Sequence, residues 1–137
     1  MEPVRSLESP VHIFRVMQTD GTDRPLCGTG NCQLGARVGT DIRVDDRDQV
    51  HPRTGGISVA PSDPKRLPPH LRPERLGGFG RLPLFQLNET QLGPSLCYRP
   101  DPKRPDMHGF VEPGTMMILS FYQAALAATA QDWRLVP

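Results

Sequence analysis

A chain of 137 residues, 36% hydrophobic and 6% aromatic, is long enough for one domain with a continuous core; its 13 glycines and 16 prolines exclude a fold of long helices, because proline lacks the amide donor and collides with the preceding turn. Sixteen Lys and Arg against fifteen Asp and Glu leave a formal charge of +1, which gives no overall field for a polyanion, and no apolar stretch approaches the roughly twenty residues that cross a bilayer. Cys27, Cys32 and Cys97 are an odd count, and Met1 to Pro10 has no apolar centre and carries Glu2, Arg5 and Glu8, so the expectation is reduced thiols, no signal peptide and a cytoplasmic protein.

Residues 11–17 are the first predicted strand, β-branched and set between Pro10 and the turn formers Asp20-Gly21. A period of two puts Val11, Ile13, Arg15 and Met17 on one face and His12, Phe14 and Val16 on the other, so Arg15 extends from a mainly apolar face. Residues 22–53 read as loop with short extended pieces at 36–38 and 41–44. Within it, Cys27 and Cys32 are spaced too widely for a zinc knuckle, and the acidic run Asp45-Asp46-Arg47-Asp48 lacks the glycine and distal glutamate of a calcium loop; no metal is assigned. Gly55-Gly56 leads into a strand stopped by Pro61. Ile57 and Val59 face the core, and Gly56, Ser58 and Ala60 form a low-relief face that a ligand could approach closely.

Residues 62–82 carry Pro64, Pro68, Pro69, Pro73 and the turn Gly77-Gly78-Phe79-Gly80, and are expected to be an ordered crossing loop or lid without sheet pairing. The basic pairs Lys65-Arg66 and Lys103-Arg104 lie among prolines and read as solvated loop. Short strands are predicted at 84–87 and 96–99, with a turn near Gly93-Pro94, and the last strand at 107–112, with His108, Phe110 and Glu112 on one face. From 116 or 118 to 133 the pattern is helical: Leu119, Tyr122, Leu126, Thr129 and Trp133 recur at steps of three and four among alanines, with Thr115 or Ser120 as the expected cap and Tyr122 and Trp133 in the core. The order predicts an α+β domain over 1–137: a compact curved or split sheet of short strands, long proline- and glycine-rich loops, a C-terminal packing helix, and a flexible tail at 1–10.

Three features could carry chemistry together: Arg15, the segment Gly55-Gly56-Ile57-Ser58, and the face holding His108 and Glu112. A guanidinium offers a planar fork to phosphate or carboxylate, a glycine pair admits close approach, and a carboxylate stabilises a cation or takes a proton. The combination suits an anionic, sugar-bearing ligand.

The ordered segments HIFRV, TGGISVAPSDPKRLPPH, LPLFQLNETQLGPSLCYRPDP and HGFVEP, followed by a methionine and FYQAALAATAQDW, resemble the small bacterial toxins related to a type VI secretion effector with an ADP-ribosyltransferase-like fold. The similarity spans about residues 11–133. It implies NAD as substrate, with Arg15 on the pyrophosphate, Ser58 with Gly55 and Gly56 bracing the nicotinamide pocket, Glu112 as the catalytic acid and His108 as an alternative contact. The implied reaction is loss of nicotinamide through a cation-like ribosyl transition state that a carboxylate stabilises. The implied partners are a cognate antitoxin or immunity protein and a macromolecular target, while composition gives no membrane and no strong nucleic-acid signal. Two alternatives stay open: a non-catalytic interaction module presenting residues 62–82, with Arg72 and Phe79 as contacts, and an RNA-acting enzyme of related fold, which the near-neutral charge disfavours.

Overall fold

The computed structural model describes residues 10–137, so the expected tail lies outside the described residues apart from Pro10. Six strands form one antiparallel sheet: β1 (His12–Val16), β3 (Ile57–Pro61), β4 (Leu84–Asn88), β5 (Leu96–Pro100), β6 (Gly109–Pro113) and β8 (Arg134–Leu135), in the order β5-β6-β3-β1-β4-β8. A separate antiparallel pair joins β2 (Gln49–Val50) to β7 (Met117–Ile118), and α1 (Leu119–Ala128) follows directly. The chain is therefore mixed α and β, mostly antiparallel sheet with one helix near its C-terminus.

Alternation along β1 sends side chains into two separate cores. Ile13 and Met17 join Ile57, Val59, Phe85, Leu87, Val111, Tyr122, Leu126 and Trp133 on the helix side. Phe14 and Val16 join Ala60, Leu84 and Leu67 on the other, where Leu71, Leu76 and Leu82 of the proline-rich segment complete the cover. Burying a side chain as fully as Ile13 or Phe85 is worth about 1.5–3 kcal/mol. The proline-rich segment is thus a second layer, ordered by 3-10 turns at Pro64–Arg66 and Glu74–Leu76 and contributing no strand. Asp63 caps the first turn by accepting from the Lys65 amide.

Several boundaries differ from expectation. The helix stops at Ala128 because the Thr129 hydroxyl donates to the Leu126 carbonyl and accepts from Trp133 Nε1, which drops the chain into a 3-10 turn and then β8. Neither Thr115 nor Ser120 caps it: Ile118 is the N-cap, and the first helical amide, Leu119 N–H, donates to the Asp48 carbonyl. β6 is not the last strand, since β7 and β8 follow. Instead of extended pieces at 36–38 and 41–44 there is a turn in which the Arg37 carbonyl accepts from Thr40, Asp41 and Ile42, with one bridge between Val38 and Ile42. Among the described residues no helix is long and apolar enough to cross a membrane.

Candidate functional site

β1 and β4 stay paired along the whole of β1, from His12↔Asn88 to Val16↔Leu84. On its other side β1 pairs with β3 only at Ile13↔Pro61 and Phe14↔Ala60. Beyond Phe14 the two strands part, and Arg15 sits in the opening. Its Nη1 donates to the Ser58 carbonyl, which has no β1 amide across from it, at 2.8 Å. Its Nη2 donates to the Gln33 carbonyl of the loop laid over the parting, at 3.1 Å. Nε is enclosed and has no hydrogen-bond partner among the described residues.

This arrangement leaves a part-buried cation without an ion-pair partner among the described residues. The ion pairs among the described residues join Arg37 to Asp41, His51 to Asp45, Arg99 to Glu112 and His108 to Asp101, and none includes Arg15. Burial pulls the Arg15 guanidinium below its ordinary pKa, and the Asp41 carboxylate nearby acts in the opposite sense. A guanidinium remains charged at neutral pH.

Arg15 opens onto a cleft of about 250 Å³ that Asn31, Cys32, Arg37, Asp41, Ser58 and His70 also line. A second cleft of about 180 Å³ abuts it, walled by Ala60, Pro68 and Met107 and edged by Arg66, Arg104 and His108. Ser58, Leu67 and Leu71 belong to both and form the saddle between them. Each cleft alone is smaller than the roughly 300 Å³ at which small-molecule sites begin; joined over the saddle they form a trough of that class. Asp41 is its acidic residue, set against Arg15, Arg37, Arg66, Arg104 and His70, so the local field is positive although the chain is near neutral.

The structure brings Arg15, Ser58 and His108 to this trough and keeps the other expected residues out of it. Glu112 is 5% exposed and lines neither cleft. Its Oε1 accepts from Arg99 Nε at 2.8 Å and from the Arg53 amide at 2.9 Å, and Arg99 in turn lies over the Phe110 ring at 4.9 Å. Gly55 and Gly56 also lie outside both clefts. Gly55 has φ of +134°, and a side chain there would collide with the Asp41 carbonyl; one at Gly56 would meet the Val111 carbonyl. Their small size serves backbone packing at the start of β3.

Sequence reasoning missed Arg37, Asp41, His70, Arg66 and Arg104. The last two read as solvated loop in sequence, and the signal that could find them is tertiary: the proline-rich segment packs on β1 and β3 and brings Arg66 to the cleft that Arg104 of the β5–β6 hairpin also lines. Comparison of the chain with protein-family models, with curated proteins and with solved structures finds no match, so the functional reading rests on this geometry and on the sequence motifs.

Proposed function

We propose that the trough binds NAD and that the chain transfers ADP-ribose to a cellular target, as a toxin-type effector of ADP-ribosyltransferase-like fold held in check by a cognate antitoxin or immunity protein. One observation carries the reading: the Arg15 charge at the parting of β1 and β3 is held by two neutral carbonyls and by no carboxylate. A cation drawn partly out of water without an ion-pair partner is costly, and an anion bound in the cleft would relieve it. A pyrophosphate is suited to the task, because it accepts charge-assisted bonds from Arg15 and from Arg37 at the rim. The apolar wall of the neighbouring cleft, with Ser58 on the saddle, suits a flat ring and its ribose. The opening of an antiparallel sheet beside a first-strand arginine also agrees with the resemblance in sequence.

Calorimetric titration of NAD, paired with an assay for nicotinamide release, tests the proposal. Saturable binding that Arg37→Gln weakens, and growth arrest on induced expression that Arg15→Met relieves, are the expected results. Absence of binding by the wild-type protein would remove the reading.

The engagement of Glu112 by Arg99 favours a second reading, in which the fold serves as a non-catalytic interaction module. Arg72 is committed to the carbonyls of Lys65, Leu67 and Gly77 within its own segment, so Phe79, 69% exposed, is the residue that would meet a partner. Under this reading Phe79→Ser abolishes partner capture while Arg15→Met leaves it unchanged.

A further inference from the structure

The hairpin between β5 and β6 builds a histidine–aspartate pair at the edge of the second cleft. Asp101 is fixed three times over: its amide donates to the His108 carbonyl at 2.9 Å, its Oδ1 accepts from the Lys103 amide at 2.9 Å, and its Oδ2 meets His108 Nδ1 at 2.8 Å. The imidazole also stands edge-on to Phe110, with ring centroids 4.8 Å apart. Nδ1 is therefore occupied, and Nε2, which has no hydrogen-bond partner among the described residues, is the ring nitrogen left to serve the cleft that His108 lines with Ser58. The other such pair, His51 with Asp45, makes the opposite choice: it bonds through Nε2, and its side chains are 40% and 31% exposed. Those of His108 and Asp101 are 23% and 14% exposed.

We infer that His108, oriented by Asp101, is the catalytic base of this site and that the acceptor it serves is a hydroxyl group; the inference rests on the trough binding NAD as proposed above. A neutral hydroxyl needs a base to attack, whereas a target carboxylate does not. In the step, the bond between the ribose C1′ and the nicotinamide nitrogen breaks, its electron pair leaving with neutral nicotinamide. A bond from C1′ to the acceptor oxygen forms, and the acceptor's proton passes to His108 Nε2 and from there to solvent. Water takes the acceptor's place when no target is present. Asp101 is a positioning residue: it holds the proton on Nδ1 and stabilises the imidazolium that forms. The His108 hydrogen bond keeps the Asp101 carboxyl below the usual range, so it is an anion throughout the neutral region. The other charged groups around the imidazole are Arg104 on its own hairpin, Arg66 lining the same cleft, and the Arg99–Glu112 pair beyond Phe110. Glu112, with two donors on one oxygen and no place in either cleft, is not available for the role.

The test measures NAD affinity by calorimetry and nicotinamide release against pH for the wild-type, His108→Gln and Asp101→Asn proteins, with the His108 tautomer read by nitrogen NMR. Expected are saturable NAD binding by all three proteins, release slowed at least about 100-fold in His108→Gln and about tenfold in Asp101→Asn, and loss in His108→Gln of the acid limb of the pH–rate profile. The neutral ring should carry its proton on Nδ1. A His108→Gln protein with the wild-type rate and pH profile overturns the inference while leaving NAD binding intact. So does a wild-type protein that binds NAD and releases no nicotinamide, or a ring protonated on Nε2 alone. Failure of the wild-type protein to bind NAD would instead remove the functional reading, and the base assignment with it.

Discussion

Glu112 and Arg15 bring opposite charges into one sheet, from the two strands that flank β3, and the sheet accommodates them differently. Glu112 is met by an ionic partner, Arg99, and by the Arg53 amide, so its charge is used up within the scaffold. Arg15 is met by the carbonyls of Ser58 and Gln33, which satisfy hydrogen bonds but cancel no charge. The difference separates a structural buried charge from one available to a ligand. Glu112 is buried and ion-paired, whereas Arg15 is part-buried, opens onto the cleft and has no ion-pair partner among the described residues.

The comparison can be broken most forcefully at Arg99. Arg99→Met leaves Glu112 buried without its counter-charge and should cost about 3 kcal/mol in urea unfolding, while adding Glu112→Leu should recover most of the loss. A single variant as stable as wild type would mean that Glu112 is not held as a scaffold charge. A smaller effect is expected behind the sheet, where the Tyr122 hydroxyl donates to the Val111 carbonyl at 2.6 Å and so braces β6 from the helix. Tyr122→Phe should cost about 1–2 kcal/mol, because a buried carbonyl loses its donor.

Burial raises the Tyr122 phenol above its ordinary pKa of 10.0. A folded value above the unfolded one means that the native state keeps a proton the unfolded chain gives up. The phenol's contribution is therefore whole below the unfolded value and is lost progressively as pH climbs past it toward the folded one. Wild-type stability should fall above about pH 10, and Tyr122→Phe should flatten that fall, as alkaline unfolding curves would reveal. The smallest effect belongs to Arg37, whose exposed charge is already offset by Asp41. Arg37→Gln should weaken NAD by a few-fold only, and a loss as large as that of an Arg15 variant would move the anion seat from the floor of the cleft to its rim.

Much of the scaffold was legible because local pattern and tertiary packing agree. Alternation in residues 11–17 assigned Ile13 and Met17 to one core and Phe14 and Val16 to the other, and helical spacing found Tyr122, Leu126 and Trp133. The two-residue strands β2, β7 and β8 were not legible, since pairs such as Gln49–Val50 are too short to show a period. The site was legible in half. Arg15, Ser58 and His108 were singled out and line the trough, but alternation along β6 could not reveal that Arg99 on the adjacent strand occupies Glu112. Nor could composition show that Arg66 and Arg104, both set among prolines, line one cleft.

The central claim is that the charge at the strand parting, and not the one on β6, receives the ligand. Side-by-side titration of NAD into Arg15→Met and into the Arg99→Met/Glu112→Leu double variant, each first confirmed folded by its unfolding transition, tests it most directly. The account predicts at least about tenfold weaker binding by the first and wild-type affinity in the second. Binding that survives the loss of Arg15 and disappears with the Arg99–Glu112 pair would contradict it.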